Sequence, residues 1–155
     1  MPSVTEQILR SRMVRPPIDQ SRYFAIAPDL VLGHEATIAL LIDRLKASGR
    51  SVARPESCFF AADHFVPPAT SERADILRRY LDFIRDEGIP EDHLFEGISH
   101  QLMVEDPRCR PEAVIAGADS HTTMAGALGC FAAGFGSTDI LGLLATGHVW
   151  VQIPE

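Results

Sequence analysis

Along the chain, short unbroken apolar runs alternate with stretches of helical periodicity. Leu30-Val31-Leu32 leads into Gly33, and from His34 onward Ile38, Leu41, Ile42 and Leu45 recur at i, i+3, i+4 and i+7. That spacing predicts an amphipathic helix which Gly49 ends. Cys58-Phe59-Phe60-Ala61 is too short for a helix and is predicted as a buried strand stopping at Asp63-His64. Thr70 or Ser71 can cap a helix whose apolar face is Ile76, Leu77, Tyr80, Leu81 and Ile84, ended by Gly88. A short segment, Leu94-Phe95, precedes Gly97-Ile98-Ser99-His100, and Ala113 to Ala116 is predicted as another buried strand running into Asp119-Ser120-His121. At the start of the chain, Thr5 to Met13 is predicted as a helix followed by an irregular Pro16-Pro17 connector. Further on, the small-residue-rich segments Met124 to Phe135 and Thr138 to Thr146 are predicted as helices packed closely on their neighbours.

Strands alternating with helices predict an α/β domain, three layers deep (α/β/α) with a largely parallel sheet. Such sheets bind ligands outside the carboxyl ends of their strands. Asp63-His64, His100 and Asp119-Ser120-His121 are each placed by the pattern at or just after a strand end, so three segments deliver acid–base residues to one edge. Each has a plainer alternative. Asp119-Ser120-His121-Thr122 fits a capping turn, Asp63 fits a turn before Pro67-Pro68, and a single histidine such as His100 is commonly structural. His34, His93 and His148 are read as structural or surface residues.

Composition narrows the picture. The 155 residues are 46% hydrophobic and 23% charged, enough for one core and unlike a disordered chain. No run approaches the ~18 apolar residues of a membrane span, and Met1 to Arg15 has no apolar signal-peptide segment. Three cysteines make no disulfide framework and fit a reducing, cytoplasmic location. A net charge of −7 without a basic stripe argues against nucleic acid as a partner. There is no His-x-x-x-His and no Cys-x-x-Cys, so no protein-held metal is expected, and Gly134-Phe135-Gly136 lacks the further glycine or lysine of a nucleotide loop.

The segment Val114 to Glu155, with Gly117-Ala118-Asp119-Ser120-His121-Thr122 and its glycine-rich sequel, closely resembles the aconitase superfamily, in particular the large subunits of 3-isopropylmalate dehydratases and homoaconitases. Thr5-Glu6-Gln7-Ile8-Leu9, Asp29 to Glu35, Asp63-His64-Phe65 and Gly97-Ile98-Ser99-His100-Gln101 agree in the same order. The resemblance implies the N-terminal part of an aconitase-type first domain, spanning residues 1–155 as a single, incomplete unit. It also implies a hydro-lyase of leucine biosynthesis that moves a hydroxyl between adjacent carbons of a hydroxy di- or tricarboxylic acid. By the same resemblance Asp63 and His64 handle the proton of the leaving hydroxyl. His100 and Asp119 organise hydroxyl or water, and Ser120, His121 and Thr122 meet substrate. The family uses a [4Fe–4S] cluster whose open iron acts as Lewis acid.

The chain also departs from that pattern. Family members are far longer, and the cluster cysteines, the later substrate-binding arginines and the serine base lie downstream of the matching region. The chain is therefore expected to be inactive alone, with a small subunit and a cluster-bearing remainder as partners, and to associate with itself or with them through apolar surface. Two other readings stay open. One is a non-catalytic, truncated carboxylate-binding or assembly module; the other is a metal-dependent hydrolase using the His/Asp cluster.

Overall fold

The computed structural model describes residues 2–18 and 22–153; Pro154 and Glu155, the last residues of the resembling segment, lie outside the described residues. Helix α1 (Val4–Ser11) opens the chain, its first turn capped by the Ser3 hydroxyl, which accepts the Glu6 N–H at 3.1 Å. Two strands follow, β1 (Met13–Arg15) and β2 (Tyr23–Ile26). Strand β3 (Leu30–His34) runs directly into the short helices α2 (Glu35–Ile38) and α3 (Ile42–Ala47). Then come β4 (Cys58–Ala61), the long helix α4 (Ser71–Glu87) and α5 (Ser99–Glu105). The rest of the chain forms β5 (Val114–Gly117), a 3-10 segment (Ser120–Leu128), β6 (Phe131–Gly134), α6 (Ser137–Thr146) and β7 (Val149–Gln152).

Strands β4, β3, β5 and β6 lie side by side in that order, all parallel. Every residue of β3, β4 and β5 is buried, which is why these strands read as unbroken apolar runs rather than alternating ones. Alternate side chains supply two cores. Val31, Cys58, Phe60, Val114 and Ala116 join α2, α3, α4 and α6 on one face. Leu30, Leu32, Phe59 and Ile115 join Met103 of α5 and Ala125 of the 3-10 segment on the other. The result is the three-layer α/β arrangement that the pattern predicts.

Helix α4 shows how local chemistry fixes position. The Thr70 hydroxyl accepts the Arg73 N–H at 3.2 Å to start it, and Gly88 at φ 67° ends it. Leu77, Tyr80, Phe83 and Ile84 form its buried stripe. The Tyr80 hydroxyl donates to the Ala61 carbonyl at 2.8 Å, tying the helix to the end of β4, two residues before Asp63.

The structure departs from the sequence pattern in four places. The helix expected from His34 to Gly49 is broken between Ile38 and Ile42. Met124 to Phe135 is not one helix: the 3-10 segment stops at Gly129, which takes φ 79°, and the chain turns into parallel strand β6. Leu94 makes only an isolated parallel bridge to Ala62, and His100 sits in the first turn of α5 rather than after a strand. Finally, β1, β2 and β7 build a second, antiparallel sheet, with Tyr23 opposite Gln152 and Ile26 opposite Val149. Among the described residues no helix is long and apolar enough to cross a membrane.

Candidate active site

The carboxyl ends of β3, β4 and β5 deliver His34, Asp63-His64 and Asp119-Ser120-His121 to one edge of the parallel sheet, and α5 brings His100 to the same place. The register sets the strand ends near one another: His34, the last residue of β3, stands opposite Ala61, the last of β4, and Gly117, the last of β5, stands opposite Leu32, two residues before the end of β3.

Asp63 organises the first half of the cluster. One of its oxygens lies 2.6 Å from His64 Nδ1, and the other accepts the Ser99 N–H at 2.6 Å. Partial burial pushes the Asp63 carboxyl upward, but the Ser99 N–H and the His64 ring outweigh that and leave it below the usual carboxylate value. It is therefore an anion that orients His64 by Nδ1 and leaves Nε2 of a half-exposed ring for a ligand.

Asp119 organises the second half. It caps the 3-10 segment, accepting the His121 N–H at 2.7 Å on Oδ1. The same oxygen lies 3.0 Å from His100 Nε2 and 3.1 Å from His121 Nδ1. Partial burial raises this carboxyl too, and the His121 N–H together with the His100 and His121 rings lowers it further than burial raises it.

Between the two halves lies His34, which the sequence pattern left as structural. It is 2% exposed, and neither ring nitrogen finds a hydrogen-bond partner among the described residues. Its ring stacks on His64 with centroids 3.7 Å apart, and its Nε2 faces Asp119 Oδ2 at 3.8 Å. Burial first, and the neighbouring His64 second, lower its pKa from 6.5 to about 4, so the ring is neutral at neutral pH. Glu35, next in the chain, also stands outside the sequence pattern. It is fully buried, and its carboxylate accepts the Asp63 N–H at 3.3 Å and the Phe65 N–H. It thereby pins the turn that presents His64. The available signal was position: His34 ends an apolar run just as Asp63 and Asp119 follow theirs.

Ser120 is exposed beside Asp119, whereas Thr122 is fully buried and its hydroxyl donates to the Asp119 carbonyl at 2.6 Å. In that position the Thr122 side chain braces the Asp119 turn. His93 and His148 lie elsewhere, His93 stacked on Phe59 and 3.4 Å from Asp106, and His148 close to the Thr146 carbonyl. A groove of about 720 Å³ between α2 and α4 and one of about 590 Å³ at the amino ends of β3 and β4 are not lined by the clustered residues.

The cysteines do not approach this edge as a set. Cys58 is buried in the core on the α4 and α6 face of the sheet, and Cys109 and Cys130 face each other at 3.8 Å in the opposite core. Three thiolates around one cluster need a shared cavity, which these positions do not provide.

Comparison with known proteins gives the same direction. The profile of the aconitase family (aconitate hydratase) matches residues 6–155. The 3-isopropylmalate dehydratase large subunit 2 of Methanopyrus kandleri is 36% identical over 156 residues, covering all of this chain and 39% of that protein. The 3-isopropylmalate dehydratase large subunit of Moorella thermoacetica is 38% identical over 161 residues, 99% of this chain and 37% of its own length. The methanogen homoaconitase large subunit of Methanocaldococcus jannaschii is 40% identical over 128 residues, 82% of this chain and 30% of its own. This chain thus spans less than two-fifths of the length of these relatives. Fold and matched sequence agree: the chain belongs to the aconitase family.

Proposed function

We propose that this chain carries the proton-handling residues of a hydro-lyase acting on a hydroxy di- or tricarboxylic acid, with 3-isopropylmalate as the substrate. The observation that carries the reading is the convergence of Asp63–His64 and Asp119–His100–His121 on one sheet edge. The names of the relatives supply the reaction class. Hydroxide is a poor leaving group, and a positioned proton donor at its oxygen is worth about 10²–10⁴-fold. In this reading His64, oriented through Nδ1 by Asp63, gives the proton from Nε2. His100 and Asp119 seat the departing hydroxyl or the incoming water, and His121 and Ser120 meet a substrate carboxylate.

The cysteines of this chain do not fit the [4Fe–4S] cluster that the family implies, so no step is assigned through it. The reading includes a cluster-bearing remainder and, because the relatives are named large subunits, a small subunit as partners. It also includes inactivity of the chain alone, and a single, incomplete aconitase-type domain over residues 1–155.

The test supplies the chain with the cluster-bearing remainder and small subunit in trans and follows the ultraviolet absorbance of the unsaturated intermediate. 3-Isopropylmalate, citrate and homocitrate are compared. Turnover of 3-isopropylmalate in the assembly, lowered about 10²–10⁴-fold by His64→Ala, supports the reading. An unimpaired His64→Ala enzyme removes that residue from the chemistry, and turnover by the chain alone overturns its proposed inactivity.

A further inference from the structure

Cys109 and Cys130 are 21 residues apart in the chain, yet their sulfurs stand 3.8 Å from each other. Both are free thiols, as is Cys58, which lies on the other face of the sheet and is 2% exposed. Backbone pairing holds the two together. Cys130 immediately precedes β6 and Ala113 immediately precedes β5. The Phe131 N–H donates to the Ala113 carbonyl at 2.9 Å, and the Glu112 N–H donates to the Gly129 carbonyl at 2.9 Å. Cys109 sits in the turn just before, its N–H donating to the Asp106 carbonyl at 2.9 Å. A disulfide places its sulfurs about 2.05 Å apart, so rotation of the two side chains has about 1.8 Å to close. Nor is the pair sealed from solvent: Cys109 is 7% and Cys130 9% exposed. Pro107, Arg108 and Arg110, on either side of Cys109, line a surface hollow of about 290 Å³.

We propose that Cys109 and Cys130 are an oxidation site, closing to a reversible intramolecular disulfide when the chain meets a hydroperoxide. The Cys130 thiol donates to the Arg110 carbonyl at 3.1 Å and so keeps its proton. Its contact with Cys109 offsets part of the upward push that burial gives the Cys109 thiol. Cys109 is therefore the attacking sulfur. Its thiolate attacks one peroxide oxygen: an S–O bond forms, the O–O bond breaks, and the other oxygen leaves as water once protonated. The Cys130 sulfur then attacks the sulfenic acid: the S–S bond forms, the S–O bond breaks, and a second water leaves. The two thiols have lost two electrons and two protons, and the peroxide has taken them up. Burial raises both thiols, so the bond forms only over a long exposure. It fastens the turn before β5 to the residue after Gly129, which ends the 3-10 segment that Asp119 begins. This site goes beyond the dehydratase reading and does not depend on it, since its test needs no turnover.

The experiment treats the reduced chain, freed of reductant, with hydrogen peroxide for hours, then alkylates it in urea and maps it by mass spectrometry. The expected result is a bond within the chain from Cys109 to Cys130, with Cys58 alkylated. The urea midpoint should rise on oxidation, and dithiothreitol should restore both thiols and the original midpoint. Cys58→Ala should form the same bond, and Cys130→Ala should form none. Circular dichroism verifies folding; if Cys130→Ala fails to fold, the map of the parent chain decides alone. Free thiols throughout after prolonged exposure, sulfinic acid at Cys109 without the bond, or pairing through Cys58 or between chains would overturn the proposal. So would an oxidised chain no more stable to urea than the reduced one.

Discussion

The imidazole of His34 lies flat on that of His64, centroids 3.7 Å apart and planes 3° from parallel. Burial, reinforced by this neighbour, holds the His34 pKa at about 4 against 6.5 in the unfolded chain. The folded state therefore binds fewer protons through this residue. Its contribution to stability is complete above pH 6.5 and is lost as pH falls towards 4, on the order of 2–3 kcal/mol. Urea unfolding at pH 7 and at pH 4.5 checks this: the parent should lose that stability between the two, and His34→Gln should lose distinctly less. Equal losses would show that His34 does not set this part of the acid response.

Glu35 governs the same neighbourhood from beneath. Its buried carboxylate is shared by the Asp63 and Phe65 N–H groups, which flank His64. Removing it leaves two part-buried donors without this partner, at a cost of about 1–3 kcal/mol. Glu35→Ala should show that loss in chemical denaturation, and His64 ring resonances should move in the folded variant. Glu35→Gln, which keeps one accepting oxygen, should fall between it and the parent.

Some of this architecture is written locally and some is not. Strands buried on both faces leave unbroken apolar runs, so Cys58–Ala61 and Val114–Gly117 are legible, and with them Asp63, His64, Asp119 and His121 just beyond. His34 gives the same positional signal, but it is followed at once by a helical pattern that absorbs it. The antiparallel sheet escapes because β2 pairs with β7 across the length of the domain and three-residue β1 is exposed throughout. Strand β6 is a short, mostly small-residue stretch that is placed by pairing with its neighbour, β5. Those elements are specified by tertiary pairing, which periodicity does not record.

The thiols give a further check on the two cores. Burial pushes Cys58 and Cys130 up to about 12, and burial also raises Cys109 against the small opposing effect of its contact with Cys130. The thiolate is the reactive form, so an aromatic disulfide reagent at pH 8 should modify all three slowly in the folded chain and rapidly in urea. A fast-reacting equivalent in the native state, mapped by mass spectrometry, would show that one core opens at that position.

The Asp119 turn rests on two glycines, and both are required for space rather than for backbone freedom. A Cβ added at Gly117 would overlap the Thr122 hydroxyl and come within 2.8 Å of Thr122 Cβ. One added at Gly134 would stand 2.7 Å from the Asp119 carbonyl oxygen. Thr122 cannot retreat cheaply, because it is fully buried and its hydroxyl is committed to that carbonyl at 2.6 Å. Gly117→Ala should therefore force the 3-10 segment off the sheet, destabilise the chain by about 1–3 kcal/mol as overpacked sites do, and shift the His121 and His100 resonances together. Gly142→Ala is the matched control: it lies exposed in α6 with nothing within 4 Å of the added atom. Helix propensity alone should make that variant about 0.5–1 kcal/mol more stable. Opposite signs for the two alanines in chemical denaturation are the expected outcome. A Gly117→Ala protein as stable as the parent, with unmoved histidine signals, would show that Thr122 does not hold Asp119 in place.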